Sequence, residues 1–324
     1  MRAMVVTDWC EPKDMQLVEL PDPTPGPGQV TIDVRASACN FFDILMAQGK
    51  YQIRPPVPFS PGGEVAGVVR AVGHDVASVA PGDRVFVILR WGGYASVVLA
   101  AATEVHRMPE GMPFEHAAGF GVVYLTSYLG LVNRANLRTG ETLLIHAAAG
   151  GVGLSAVQIG RALGARVLAT AGSERKRAVA REHGAEAAFD YRNPDWVDRV
   201  KEATGGRGAD VIYDPVGGET FELSTKCIAF AGRLLVVGFA SGRIPSIQAN
   251  RILLKNISVV GVALGGFQRQ APELVTQAMR ALFDLYERGA IRPVISATFR
   301  LAEAAAALEE IASRRSVGKV LLIP

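Results

Sequence analysis

The residues whose types and spacing point most directly to chemistry lie between Glu141 and Arg166, ETLLIHAAAGGVGLSAVQIGRALGAR. Thr142 to His146 is short and mostly apolar, as a strand buried on both faces must be. Ala147 to Gly153 supplies small residues and three glycines where the chain has to reverse. From Leu154 to Leu163 apolar residues recur at helical spacing, and Gly164 supplies a stop. A strand feeding a glycine turn and a helix start is a pyrophosphate cradle. Small residues let the backbone come close, and free N–H groups with the helix dipole favour negative charge. The spacing is Ala148-x-Gly150-x-x-Gly153, with alanine at the first glycine position of G-x-G-x-x-G. By itself the pattern also suits a tight turn in a core hairpin. The order strand, turn, helix favours a dinucleotide held by Ala148, Gly150, Gly151, Val152 and Gly153.

The next strand reads which dinucleotide. In such a sheet an acid at its end, about 20 residues past the glycines, takes hydrogen bonds from the adenosine ribose and selects NAD. Here the strand Arg166–Ala171 is followed by Gly172-Ser173-Glu174-Arg175-Lys176-Arg177. The tip holds no carboxylate. Small-residue backbone, a hydroxyl and positive charge suit a 2'-phosphate, so NADPH is the expected cofactor. Glu174, as an N-terminal helix residue, complements the dipole. The competing reading of the basic run is a solvated helix face.

These motifs need elements to position them. The first hundred or so residues are rich in β-branched side chains broken by proline and glycine. PDPTPGPG (21–28) is a rigid connector into a strand over Gln29–Ala36. Strands are predicted at Val65–Val72, Val76–Val79, Asp83–Leu89 and Val97–Ala101, which together suggest a β-barrel-like domain. From about residue 114 helices and strands alternate, the pattern of a doubly wound parallel sheet. The fold class is α/β, with domains at 1–122 and 123–263. Residues 264–324 are expected to return to the first, ending in a strand over Lys319–Ile323.

With 324 residues, 49% hydrophobic and 20% charged, the chain has the composition of a soluble globular protein of two domains. Thirty-four basic and 31 acidic residues are interspersed, which argues against nucleic-acid or membrane partners. Cys10, Cys39 and Cys227 lie far apart and form no C-x-x-C, so neither a zinc knuckle nor a disulfide framework is expected. The N-terminus has charge within its first dozen residues and no long apolar core. A cytoplasmic protein is expected.

With these residues in hand the chain resembles the zinc-free medium-chain dehydrogenase/reductases, specifically the quinone oxidoreductase (zeta-crystallin-like) family. The resemblance spans nearly the whole chain. Its marks include Asn40-Phe41-Phe42-Asp43, Gly49-Lys50-Tyr51, Pro61-Gly62-Gly63-Glu64-Val65-Ala66-Gly67, Pro81-Gly82-Asp83-Arg84-Val85 and Leu125-Thr126-Ser127-Tyr128. The glycine turn, Asp190-Tyr191-Arg192, Asp210 to Asp214 with Gly217-Gly218, and Gly232 to Gly242 complete it. It implies a GroES-like β-barrel catalytic domain with a Rossmann domain, and an active site in the cleft between them. It also implies that the NADPH phosphate is held by Ser173, Lys176 and Arg192. Asn40, Thr126 and the loop Gly238-Phe239-Ala240-Ser241 match positions near the nicotinamide and its phosphates. A homodimer through an edge strand at Ile257–Val262 is implied as well.

Zinc-dependent relatives carry Cys, His and a further Cys or Asp at a catalytic zinc. Here the matching residues are Cys39, Gly63 and a position near Val122, so no metal is expected. Loss of a Lewis acid favours acceptors that are already electron-poor, namely quinones and α,β-unsaturated carbonyls. The candidate catalytic residues are Asn40, Tyr51 and Thr126. Asn40 suits either a hydrogen bond to carbonyl or ribose, or a turn cap. Tyr51 suits proton donation or plain packing. Glu64 reads as a paired buried carboxylate, and His146 as a satisfied core histidine. The alternatives to a quinone or enone reductase are an enoyl-thioester reductase and a non-enzymatic NADPH-binding protein.

Overall fold

Eleven residues, Gln29–Cys39, form the strand on which the first sheet is assembled. The computed structural model describes residues 1–324, and these group into two units. One comprises Met1–Val122 with Pro293–Pro324, the other Val123–Arg292.

In the first unit the strands run in the order Ile295–Arg300, Lys319–Ile323, Gln29–Cys39, Glu64–Val72, Arg84–Ile88, Val105–Arg107. Val97–Ala101 also pairs with the first half of Gln29–Cys39, leaving its second half for the C-terminal strand. There Val320 faces Cys39 and Leu321 faces Ala38, so the two ends of the sequence share one ladder. Val30, Ile32, Val65, Val85 and Val87 are fully buried and fill the adjoining core. The strand expected at Val76–Val79 does not form. Asp75 adopts φ 66° and turns the chain there, while Val79 still packs into the core. A helix not foreseen, Phe41–Ala47, starts at Asn40, whose backbone N–H donates to the Asp43 carboxylate at 2.8 Å.

The second unit carries a six-stranded, all-parallel sheet. Its order is Ala187–Phe189, Arg166–Thr170, Thr142–Ile145, Ala209–Asp214, Ile228–Val236, Ser258–Gly261. This is the doubly wound order, reversing between Thr142–Ile145 and Ala209–Asp214, where such sheets bind dinucleotides. Leu143, Leu144, Ile145, Val211 and Ile212 are entirely buried, as strands covered by helices on both faces must be. Helix Pro272–Glu287, expected in the returning segment, groups with this unit instead. Gln158 explains the placement: its amide donates to Arg292 O (2.9 Å) and accepts from Arg292 N (2.8 Å), tying the end of that segment to helix Gly151–Ala162. The return to the first unit therefore begins at Pro293, not near residue 264. No helix is long and apolar enough to cross a membrane.

Candidate active site

The glycine turn leaves strand Thr142–Ile145 through Ala147, which sits in the left-handed region at φ 48°. Helix Gly151–Ala162 begins at Gly150, and no side chain caps it, so its first N–H groups are presented at the carboxyl end of the sheet. A Cβ on Gly153 would lie 2.3 Å from Ala147 O and 2.7 Å from Ala148 Cα. Only glycine lets helix and strand approach so closely there. A Cβ on Gly150 would meet nothing nearer than Ala147 O at 3.4 Å, so the face of the turn above it is open. Behind the turn, Val152 O accepts from the hydroxyls of Ser127 (3.1 Å) and Ser155 (2.9 Å). Ser127 Oγ also lies 2.8 Å from Ser155 Oγ and 3.0 Å from Tyr213 OH. This buried hydroxyl cluster fixes the first helical turn. It joins residues from three segments, which no local pattern reveals.

His146 is the satisfied core histidine that the sequence suggests. Its ring nitrogens meet Thr170 Oγ1 (2.8 Å) and Ser224 Oγ (2.9 Å), and burial pushes its pKa down to about 3.

On the neighbouring strand, Arg166–Thr170, the chain passes Ala171 and Gly172 into helix Glu174–Glu182. Ser173 is the N-cap, its Oγ accepting from Lys176 N at 3.3 Å. The ring of Tyr191 covers Gly172, where a Cβ would lie 2.6 Å from the phenol oxygen. Arg192 is exposed and forks onto Asp190, with Nε–Oδ1 at 3.0 Å and Nη2–Oδ2 at 2.8 Å. Arg177 joins the same carboxylate at 2.8 Å. These bonds, Arg192 foremost, hold the Asp190 carboxyl well below the usual range. Asp190 thus orients Arg192, an anchoring that sequence reading missed. Glu174 pairs with Arg177 and Arg181, so it neutralises part of the basic run rather than the tip of the strand.

Gly238, Phe239, Ala240 and Ser241 follow strand Ile228–Val236. Ala240 N donates to Pro215 O (3.0 Å) and Ser241 N to Val216 O (2.9 Å), which fastens this loop to the turn after Ala209–Asp214. That turn is in turn held by Asp214, whose Oδ1 accepts from Val216 N (2.7 Å) and Gly217 N (3.0 Å). Its other oxygen is buried without a partner, and burial raises the carboxyl pKa. Thr126 sits half-buried on helix Gly121–Tyr128.

In the first unit Asn40 belongs to a buried polar network. Lys319 Nζ donates to Asn40 Oδ1 (2.6 Å), Glu64 Oε1 (2.7 Å) and Cys39 O (3.2 Å). Asn40 Nδ2 donates to Glu64 Oε1 (3.1 Å) and Ala38 O (3.3 Å), while Glu64 Oε2 accepts from Val122 N (2.8 Å). Glu64 is the paired buried carboxylate foreseen, and Lys319 is its partner. The second carboxylate here, Asp43, accepts from Tyr94 OH at 2.9 Å through Oδ2, while Oδ1 is buried without a partner. Burial lifts the Asp43 carboxyl to about 7 against the opposing hydrogen bonds from Asn40 and Tyr94. Tyr51 stacks on Phe42, ring centres 5.5 Å apart, and burial with the nearby Asp43 charge raises its pKa. Cys39 is buried, its thiol pushed up to about 12 by desolvation. No three His, Cys, Asp or Glu side chains gather where they could hold a metal ion.

The structure therefore brings Ala148–Gly153 and Gly172–Lys176 to the carboxyl ends of two paired strands, with Gly238–Ser241 beyond the switch point. A GroES-like strand assembly joined to a doubly wound sheet with this turn defines a medium-chain dehydrogenase/reductase. The family model for zinc-binding dehydrogenases matches residues 151–281, and that for the alcohol dehydrogenase GroES-like domain matches residues 26–110. The chain is 36% identical over 326 residues to a quinone oxidoreductase of Sus scrofa, covering 100% of this chain and 98% of that protein. To quinone oxidoreductase-like protein 2 of Rattus norvegicus it is 37% identical over 322 residues, covering 99% and 91%. The crystal structure of Escherichia coli quinone oxidoreductase complexed with NADPH matches it with a TM-score of 0.92 at 32% identity, over 100% of both chains. The chain belongs to the quinone oxidoreductase family of the medium-chain dehydrogenase/reductases.

Proposed function

We propose that the protein is an NADPH-dependent oxidoreductase that delivers hydride to a quinone or an α,β-unsaturated carbonyl without a metal. The observation that carries this reading is the cradle after Thr142–Ile145. Gly153 allows the close approach, Gly150 leaves the face open, and uncapped N–H groups point outward. The acid-free strand tip, with Ser173, Lys176 and the Asp190-anchored Arg192 beside it, fits a 2'-phosphate rather than a bare ribose diol. The names of the relatives support the same class, and the NADPH bound by the Escherichia coli protein supports the cofactor.

When bound, the nicotinamide supplies the hydride. The chain's own part is to bind and orient two molecules. The N–H groups of the first turn of helix Gly151–Ala162 hold the pyrophosphate, and the hydroxyl cluster behind Val152 keeps that turn fixed. Thr126 and the loop Gly238–Ser241 complete the nucleotide's contacts. Tyr51, like any phenol, is protonated at neutral pH, and burial keeps it so, which suits a proton donor to the product oxyanion and not a base. Of the positions that match the family's zinc ligands only Cys39 could coordinate, which supports an acceptor that is already electron-poor. We further propose a homodimer through edge strand Ser258–Gly261; the helix that precedes it in sequence, Ala249–Lys255, leaves Leu253 and Leu254 about three-quarters exposed.

NADPH oxidation is to be followed with 1,4-benzoquinone, an enone and an enoyl-CoA side by side, with and without a chelator. Turnover of quinone or enone that survives chelation is expected. Turnover of enoyl-CoA alone would replace the substrate class, and turnover abolished by chelation would overturn the metal-free mechanism.

A further inference from the structure

Glycine at position 63 answers to a neighbouring ring and not to its own backbone. Gly62 sits at φ 99°, where only glycine is at ease, but Gly63 adopts no left-handed conformation. A Cβ on Gly63 would lie 2.5 Å from Cζ and 2.9 Å from Cε2 of Phe42, with Leu89 O next at 3.6 Å. The tip of the Phe42 ring fills the space a side chain at 63 would take. Phe42 belongs to helix Phe41–Ala47, whose start is fixed by the Asn40 N–H on the Asp43 carboxylate. Past the other end of the helix Gly49, at φ 65°, turns the chain back. There the N–H groups of Lys50 and Tyr51 both donate to Leu45 O, at 2.8 and 3.1 Å. The reversal lays the Tyr51 ring on Phe42, with ring centres 5.5 Å and planes 25° apart. Gly63, Phe42 and Tyr51 thus form one packed series, all within the first unit.

Other tyrosines of this chain are held by their hydroxyls: Tyr94 on Asp43 (2.9 Å), Tyr124 on Gln158 (2.7 Å) and Tyr213 with Ser127 (3.0 Å). No hydrogen bond holds the hydroxyl of Tyr51. Its ring is oriented by packing alone, and Phe42 is the ring it stacks on. We infer that Phe42, seated over Gly63, is a positioning residue that aims the Tyr51 hydroxyl at the product oxyanion. This rests on the proton-donor reading of Tyr51 proposed above and deepens it. Hydride addition at the β-carbon of an enone leaves an enolate, whose oxygen takes the phenolic proton. Solvent returns a proton to the phenolate, and the enol passes to the ketone with solvent hydrogen at the α-carbon. Such a donor must come within about 2.6–3.2 Å of the oxygen. A misplacement of about 1 Å costs on the order of a hundredfold. Stacking fixes the plane of the Tyr51 ring and leaves its hydroxyl for the ligand.

Steady-state oxidation of NADPH with 2-cyclohexen-1-one and with 1,4-benzoquinone tests the series. Tyr51→Phe removes the proton and should lower kcat toward the enone by about a hundredfold. Phe42→Ala keeps that proton but frees the ring, and should lower the same kcat by about tenfold or more at unchanged KM for NADPH. In the Tyr51→Phe background Phe42→Ala should add little. Gly63→Ala puts a methyl group where the Phe42 ring lies, so it should lower kcat as Phe42→Ala does. In the Phe42→Ala background it should change nothing further. Phe42→Leu keeps most of the packed volume without a ring to stack, and is expected to melt near wild type while still losing kcat. Native kcat in Phe42→Ala or Phe42→Leu beside an impaired Tyr51→Phe overturns the inference alone. So does a Phe42→Ala effect of equal size with and without the Tyr51 hydroxyl. Should Phe42→Ala not fold, Phe42→Leu decides by the same readings. Native kcat in Tyr51→Phe removes the donor role and the inference with it. Wild-type protein that oxidises no NADPH with either acceptor removes the functional reading before any variant is compared.

Discussion

Substituting Gly150 and Gly153 one at a time separates the two things a glycine turn does. On Gly153 a methyl group would stand 2.3 Å from Ala147 O and 2.7 Å from Ala148 Cα, both backbone atoms that no rotamer change can move aside. Helix and strand must part by roughly 1 Å to restore van der Waals contact, an overpacking that costs about 1–3 kcal/mol. Gly153→Ala should therefore lower the melting temperature by several degrees and lose NADPH binding with it. Gly150 is different. Its φ of −79° and ψ of 170° suit alanine, and the nearest atom is at 3.4 Å. The N-cap change costs about 1 kcal/mol or less. The methyl group would instead project over the open face and hold a pyrophosphate away from the helix N–H groups. Charge-assisted bonds of about 1.5–3 kcal/mol are at stake, so the Kd for NADPH should rise roughly ten- to a hundredfold. Thermal unfolding and fluorescence titration with NADPH, run on both variants, read the two effects apart. Native affinity in Gly150→Ala would refute placement of the pyrophosphate at this turn.

Asp43→Asn should remove a pH dependence of stability. Burial lifts the native carboxyl from 3.8 to about 7, so between these values the folded chain keeps a proton that the unfolded chain releases. Stability falls as pH rises through that window and levels off above it, by roughly 4 kcal/mol if the whole shift is expressed. His146, depressed from 6.5 to about 3, acts in the opposite direction as pH falls, so the diagnostic is the difference between variant and wild type in urea unfolding across the window. Parallel curves would show that Asp43 does not titrate as described. Lys176→Ala with Arg192→Ala should weaken NADPH by about a hundredfold and NADH by far less if, as proposed, the two side chains hold the 2'-phosphate. Equal losses for the two cofactors, measured by titration, would dissolve the phosphate pocket.

Features carried by local pattern were legible in the sequence. The parallel sheet follows from helices alternating with apolar runs, and the cradle from glycines in their required order. Helix Trp196–Ala203 and the closing strand Lys319–Ile323 fall where the pattern puts them. Val76–Val79 has the composition of a strand, yet a left-handed Asp75 turns the chain away from any partner. Helix Phe41–Ala47 is too short for its period to register, and its start depends on the Asn40–Asp43 bond. The polar network was out of reach for another reason. Glu64 and Lys319 are 255 residues apart, and only the pairing of the last strand with Gln29–Cys39 brings them within 2.7 Å. Sequence could name Glu64 as a carboxylate in want of a cation, but not which of the 34 basic residues supplies it. Arg192 was missed for a different reason: its acid lies only two residues earlier, but nearness in sequence does not say that the two side chains meet.

Direct hydride transfer from NADPH to an electron-poor carbon is tested most closely by isotope transfer. NADPH deuterated at C4, each face in turn, is to be consumed by the purified protein with an enone, and the product examined by mass spectrometry and NMR. One of the two labelled faces should deliver deuterium to the β-carbon, with solvent hydrogen at the α-carbon. Consumption of NADPH that leaves no label in the product from either face would rule out direct hydride transfer.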